Sequence, residues 1–169
     1  MSVPIYDMSI PILSLGLTNI SNLIDKGVAH AEARKFDSVV LAQARFFPDM
    51  FPFTRQVQVA CDTAKGCAAR LAGVEIPKHE DTETTMAELK ARIAKTKTFV
   101  TSIKAGQLQD AASREIVVNV PTGPLKFNGL SYVTTWVLPN FYFHCGMAYA
   151  LLRHNGVELG KRDFLGKLQ

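Results

Sequence analysis

The sequence predicts a mostly α-helical protein, a four-helix bundle with a β-hairpin inserted between the third and fourth helices. Four long segments repeat apolar residues at spacings of three and four, which is typical of a helix that buries one face. Between the last two, residues 115–120 and 125–128 resemble strands, and residues 121–124 contain the prolines and glycine of a turn. The 169 residues are expected to form one domain.

The first predicted helix covers residues 9 to about 34, and a short helix follows Asp37, which is a suitable N-cap. Residues 45–53 then contain two prolines and four phenylalanines, and we expect this loop to fold back over one end of the bundle. The stripe that defines the first helix consists of Leu13, Leu17, Ile20 and Ile24.

The second long helix is predicted for residues 53–71 and is closed by Gly73. Its apolar stripe contains small residues, and a polar stripe of Gln58, Asp62 and Lys65 lies beside it. Asp62 and Lys65 predict either a surface ion pair or a buried carboxylate that lines a ligand site. The apolar stripe consists of Val57, Cys61, Ala64, Ala68 and Leu71.

The third helix is predicted to begin at Thr85, where Thr85 and Glu88 form the pattern of a capping box. Its basic residues lie outside the apolar stripe and predict a solvated face. These residues are Lys90, Arg92, Lys95 and Lys97.

The last helix is predicted for residues 140–152, in which Asn140 and His144 are the polar residues other than tyrosine. A helix that is apolar on all sides is expected inside a bundle, so His144 is predicted to be buried or to face an internal cavity. It is interpreted either as a general base or ligand in that cavity, or as a core histidine with a hydrogen-bond partner.

Other candidate ligand-binding residues lie on or after this helix. Arg153 and His154 could bind an anion together with Asn155, or they could cap the helix C-terminus. Tyr149 could donate a hydrogen bond into a cavity or pack in the core. Asn140 and Asp62 complete the predicted ligand-binding set.

Composition and charge exclude several classes of protein. The net charge of +4 is spread along the chain without a basic run, so we expect no nucleic-acid partner. Three cysteines without C-x-x-C spacing argue against a disulfide scaffold or structural zinc. No apolar run approaches the roughly 18 residues of a membrane span, and the N-terminus lacks a basic signal region. We therefore expect a cytoplasmic protein without a membrane partner.

Four motifs carry a resemblance to a known group of proteins. They occupy residues 51–56, 60–66, 139–144 and 148–156. From Met8 to Leu165 the chain resembles a family of unknown function in the DinB/YfiT-like superfamily of four-helix bundles. That resemblance implies a divalent metal held by a histidine of the second helix and a His-x-x-x-His pair on the last. It also implies low-molecular-weight thiols as ligands and a dimeric assembly.

The chain departs from this metal-binding pattern. The second long helix contains no histidine, and Ala148 follows His144 at the fourth position. His154 is ten residues further on, about 80° round the helix and about 15 Å along it, too far to share a metal. We therefore predict no metal and no cofactor.

Two functions remain open. The first is a metal-independent small-molecule binder or enzyme with a cavity around His144, its ligand a small molecule or thiol. The alternative is a non-catalytic homodimeric bundle with a decayed metal site. The homodimer is predicted because apolar residues extend beyond single stripes, at Phe99, at Leu151 and in the Phe46–Phe53 cluster.

Overall fold

The computed structural model describes residues 3–167, and it confirms the bundle with its inserted hairpin. A 3₁₀ turn at Ala105–Leu108 precedes the hairpin, and a π-helical turn at Tyr132–Val137 leads into the last long helix. The elements are α1 (Ile10–Arg34), α2 (Val39–Gln43), α3 (Phe53–Ala72), α4 (Met86–Ser102), β1 (Glu115–Val120), β2 (Gly123–Asn128), α5 (Gly129–Ser131), α6 (Leu138–His154) and α7 (Lys161–Leu165).

Contacts between side chains fix the directions of the four long helices. Gly16 and Gly27 of α1 lie against Phe141 and Leu152 of α6, so these two helices are parallel. Helix α4 runs antiparallel to α1, since Lys97 bonds Thr18 and Lys90 pairs with Asp25. Helix α3 runs antiparallel to α6, because two pairs of residues join these helices in opposite order.

Two pairs of residues join α3 and α6 in opposite order. Gln56 near the start of α3 meets His144 of α6, and Arg70 near its end meets Tyr132, just before α6. Because α1 and α6 share one direction, α3 and α4 share the other. The bundle is therefore up-down-down-up. The neighbouring pairs around it are α1–α4, α4–α3, α3–α6 and α6–α1, with a smaller diagonal contact between α1 and α3.

The parallel pairing of α3 and α4 requires the chain to return along the bundle between them. Helix α3 has 20 residues and is therefore about 30 Å long. Residues 73–85 make the return, and we call them the return segment. Thirteen extended residues reach at most about 45 Å. The return segment can therefore span the length of α3, but it has too few residues left over to form a core of its own.

A buried guanidinium anchors the return segment. The Arg92 side chain on α4 is 1 % exposed and pairs with three carboxylates, Asp62 of α3 at 2.8 Å and Asp81 and Glu83 of the return segment at 2.9 and 3.1 Å. Arg92 also donates to the Glu80 carbonyl at 3.0 Å. Burial alone would raise the pKa of Asp81, but the arginines that bond it, Arg55 and then Arg92, hold it below its usual value.

This network corrects two predictions. The basic residues of α4 were expected on a solvated face, but Arg92 is buried, because its guanidinium pairs with carboxylates of both α3 and the return segment. The polar stripe of α3 is also partly internal. Gln58 and Lys65 are buried, Gln58 donating to Glu83 and Lys65 pairing with Asp62 at 2.8 Å.

The hairpin packs one face against the bundle. In β1, Ile116 and Val118 are buried opposite Phe127 and Leu125 of β2. The chain leaves β2 through Gly129, where a Cβ atom would lie 1.8 Å from the carbonyl oxygen of Ala111. Only glycine allows the backbone to approach so closely here.

Helix α6 is not surrounded on all sides, which corrects the prediction for this segment. Tyr142 and Phe143 are exposed, while Phe141, His144 and Cys145 are buried. Leu151, which was expected to help form a dimer contact, is also buried, because it lies seven residues after His144, on the face of α6 that packs against α3. Among the helices of residues 3–167, none combines the length and hydropathy needed to cross a bilayer.

We predict that Arg92→Met lowers the free energy of unfolding by about 3 kcal/mol, because it leaves carboxylates without their buried partner. Lys95→Met on the same helix removes the same charge from an exposed position and should cost at most about 0.5 kcal/mol. Chemical denaturation of both variants measures the difference. Equal stabilities would show that Arg92 does not anchor the return segment.

Candidate functional site

His144 lies where α6 faces the first turns of α3, and it is only 8 % exposed. Its Nδ1 atom is 2.7 Å from the side-chain oxygen Oε1 of Gln56. The sequence-based interpretation of a buried histidine with a hydrogen-bond partner thus matches its position, and the partner is a glutamine amide. A buried imidazole with one partner still has a second nitrogen, so the tautomer decides what it can do.

A second hydrogen bond fixes the orientation of the glutamine amide. Gln56 Nε2 donates to the Phe51 carbonyl at 3.2 Å, which leaves Oε1 as the atom that faces His144. A carbonyl oxygen can only accept, so Nδ1 of His144 must carry the proton. Its Nε2 atom then presents a lone pair, and within residues 3–167 no side chain or backbone group bonds to it.

The electrostatic surroundings keep this imidazole neutral. Burial lowers the pKa of His144 from its ordinary value, and the nearby positive charge of Arg55 lowers it further. At neutral pH the residue is therefore an uncharged hydrogen-bond acceptor at Nε2. It can accept a proton or a hydrogen bond from a ligand, but it does not attract an anion by charge.

Arg55 supplies the positive charge at this site. Its guanidinium stacks on the Phe51 ring at 5.7 Å and bonds Gln58 at 3.3 Å and Asp81. Within residues 3–167 these bonds use only Nη1, which leaves Nη2 and Nε free to donate. Phe51 and Phe143 form the aromatic surroundings, and the Phe143 ring meets His144 edge-on at 5.1 Å.

The donor set at His144 does not fit the three-imidazole metal site implied by the resemblance. Gln56 faces His144 from the second long helix, and Ala148 occupies the fourth position after it. A zinc site needs three or four His, Cys or carboxylate ligands, and this position offers one imidazole beside an amide oxygen. Across residues 3–167, no three His, Cys, Asp or Glu side chains are grouped so that they could hold a metal ion.

Within residues 3–167 none of the other predicted ligand-binding residues forms a hydrogen bond with the His144 side chain. Asn140 donates to the Trp136 carbonyl at 2.6 Å, and Tyr149 packs edge-on against Phe164. Arg153 and His154 are exposed beyond the last buried turn of α6, where His154 packs against Phe46.

Asp62 belongs to the Arg92 network instead. It forms the i, i+3 ion pair with Lys65 that the sequence predicts, although Lys65 is buried, and it also pairs with Arg92.

The sequence analysis missed the residues that orient and surround His144. Arg55, Gln56 and Phe51 all belong to the motif at residues 51–56, where the only signal was that the motif resembles a family. A glutamine in the first turn of a helix has no periodicity that marks it as a partner of an imidazole 88 residues away.

The fold is that of a helical bundle of the DinB type. Its site lacks the histidine on the second long helix and the His-x-x-x-His pair on the last helix that the sequence resemblance implies. The model of one family matches residues 5–165, and its description is a domain of unknown function, DUF1993. The chain belongs to this family. It is also similar to a solved DinB family member from Shewanella denitrificans, with 41 % identity and a TM-score of 0.90 over 97 % of this chain and 93 % of that one. A comparison with curated proteins finds no match.

Proposed function

We propose that this protein binds a small anionic thiol without a metal, through His144 Nε2 and the Arg55 guanidinium. The observation that carries the proposal is the chain of hydrogen bonds from Phe51 through Gln56 to His144, which orients the imidazole. An imidazole held by a third group with its other nitrogen free is the arrangement that proton-accepting histidines use.

The ligand class follows from the two functional groups. A neutral imidazole lone pair accepts a hydrogen bond from a weak acid, and a thiol is such an acid. A free guanidinium edge binds a carboxylate in a bidentate manner. A small molecule with both groups matches the site, and the resemblance of the chain to thiol-using proteins supports the same class.

Burial limits the chemistry to binding. Complete transfer of the thiol proton to Nε2 would create an imidazolium in a site that lowers the pKa of His144, by burial and by the charge of Arg55. The hydrogen bond S–H···Nε2 avoids this charge. We therefore propose binding of the thiol rather than its conversion to a thiolate.

We predict that a screen by thermal shift finds stabilisation by an anionic thiol such as glutathione or mercaptoacetate. The shift should be absent in His144→Phe and reduced at least tenfold in affinity in Arg55→Met, because each removes one of the two contacts. Gln56→Met should also weaken binding, since it removes the acceptor that keeps the proton of His144 on Nδ1. Isothermal titration of each variant measures these changes.

Arg153→Met is the matched control for Arg55→Met, because it removes the same charge from the exposed end of α6. Its affinity for the thiol should equal that of the unchanged protein. His144→Phe is expected to change stability by about 1–3 kcal/mol, so its fold is checked first. A folded His144→Phe that still binds the thiol would contradict the proposal and leave His144 as a core residue.

We propose as the second candidate a homodimer that pairs through the exposed face of α6 and the neighbouring loop. Five aromatic side chains on this face are between 37 % and 64 % exposed: Phe46, Phe47, Phe51, Tyr142 and Phe143. With about 150–250 Å² per aromatic side chain, they offer roughly 400–600 Å² per protomer. A stable interface needs about 800 Å² per partner, so these residues would provide roughly half to three quarters of it.

Analytical ultracentrifugation at micromolar concentration should therefore give the dimer mass. Phe47→Ser removes one phenylalanine per protomer at about 1.5 kcal/mol or more each, which should weaken the dimer at least about a hundredfold. Val117→Ser is the control, because Val117 is also apolar and exposed but lies on the hairpin. A monomer mass for the unchanged protein would contradict this candidate.

A further inference from the structure

An apolar pocket lies on the opposite side of α6 from Gln56, between α1, α6 and α7. Its volume is about 180 Å³. Adjacent residues of a helix point about 100° apart, so Cys145 lines this pocket while His144 faces α3. The residues that line the pocket include Leu15, Ile20, Leu23, Tyr142, Cys145 and Phe164.

The lining offers an environment for an uncharged molecule. Among residues 3–167 no charged side chain lines the pocket, and its polar side chains are Asn19, Tyr142 and Cys145. Burial raises the pKa of the Cys145 thiol, which therefore stays protonated and behaves as a small apolar group. A charged ligand would lose its hydration here without gaining a partner.

Helix α7 closes the pocket and is held there by specific contacts. Lys26 of α1 pairs with Asp163 at 2.7 Å, and the buried Asn19 amide donates to the Phe164 carbonyl at 3.0 Å. Gly166 has a positive φ of 73°, and a Cβ atom at this position would lie 2.2 Å from the Asn19 side chain. The chain thus turns closely over Asn19 and sets the Phe164 ring at the wall of the pocket.

We infer that this pocket binds a neutral molecule with a single aromatic ring. A dry cavity of about 150 Å³ lined by aliphatic and aromatic residues binds benzene in another protein, so 180 Å³ accommodates such a ring with one small substituent. Tyr142 and Phe164 provide aromatic contacts, and Leu15, Ile20 and Leu23 provide the apolar surface. This site is separate from the one proposed at His144 and takes a different ligand.

Toluene is the probe, and benzoate is its charged counterpart of similar shape. Titration followed by methyl NMR should give saturable shifts for Leu15, Ile20 and Leu23 with toluene. Benzoate should bind at least tenfold more weakly, because its carboxylate has no partner in the pocket. His144→Gln should bind toluene as the unchanged protein does, which separates this inference from the proposed thiol site.

Two variants test the location of the ligand. Cys145→Leu fills the pocket from inside, and Leu15→Trp obstructs it at an exposed position where the fold should tolerate the change. Each should weaken toluene binding at least tenfold, and Val40→Trp, exposed on α2 outside the pocket, should leave it unchanged. Absence of saturable shifts, unchanged affinity in Leu15→Trp, or loss of binding in His144→Gln would overturn the inference.

Discussion

The buried guanidinium of Arg92 is the interaction on which the arrangement of the bundle depends. Parallel neighbours α3 and α4 can be joined only by a segment that returns along the bundle, and this return segment contributes little to the apolar core. Its position depends instead on Asp81 and Glu83, which Arg92 binds together with Asp62 of α3. Since Arg55 also binds Asp81, the same network reaches the first turns of α3, where the candidate site lies.

The topology explains why the site lacks the donors of a metal centre. Antiparallel packing of α3 on α6 places Gln56 opposite His144, and the amide takes the position from which a second imidazole could have approached. The amide bonds the imidazole and orients it, so the site keeps one free nitrogen next to an arginine. The ligand that we propose, a weak acid with a negative group, is chosen to match these two functional groups.

Periodicity and turn chemistry were sufficient to predict the four long helices, the capping box at Thr85 and the hairpin, because these features depend on local sequence. Burial of His144 followed from its apolar neighbours. The buried Arg92 could not be predicted, because its partners Asp62, Asp81 and Glu83 lie on other segments and the spacing of α4 places it on a polar face. The exposed side of α6 was also missed, because a uniformly apolar helix does not show which of its sides lacks a neighbour.

The central claim is that Gln56 holds His144 as a neutral imidazole with its proton on Nδ1. Long-range ¹H–¹⁵N NMR of the histidine side chains, recorded across pH 4 to 8, measures both the tautomer and the pKa of His144. The account predicts a protonated Nδ1 and an unprotonated Nε2 at neutral pH, with a pKa below the ordinary value of about 6.5. A proton on Nε2 at neutral pH, or a pKa above 6.5, would contradict it.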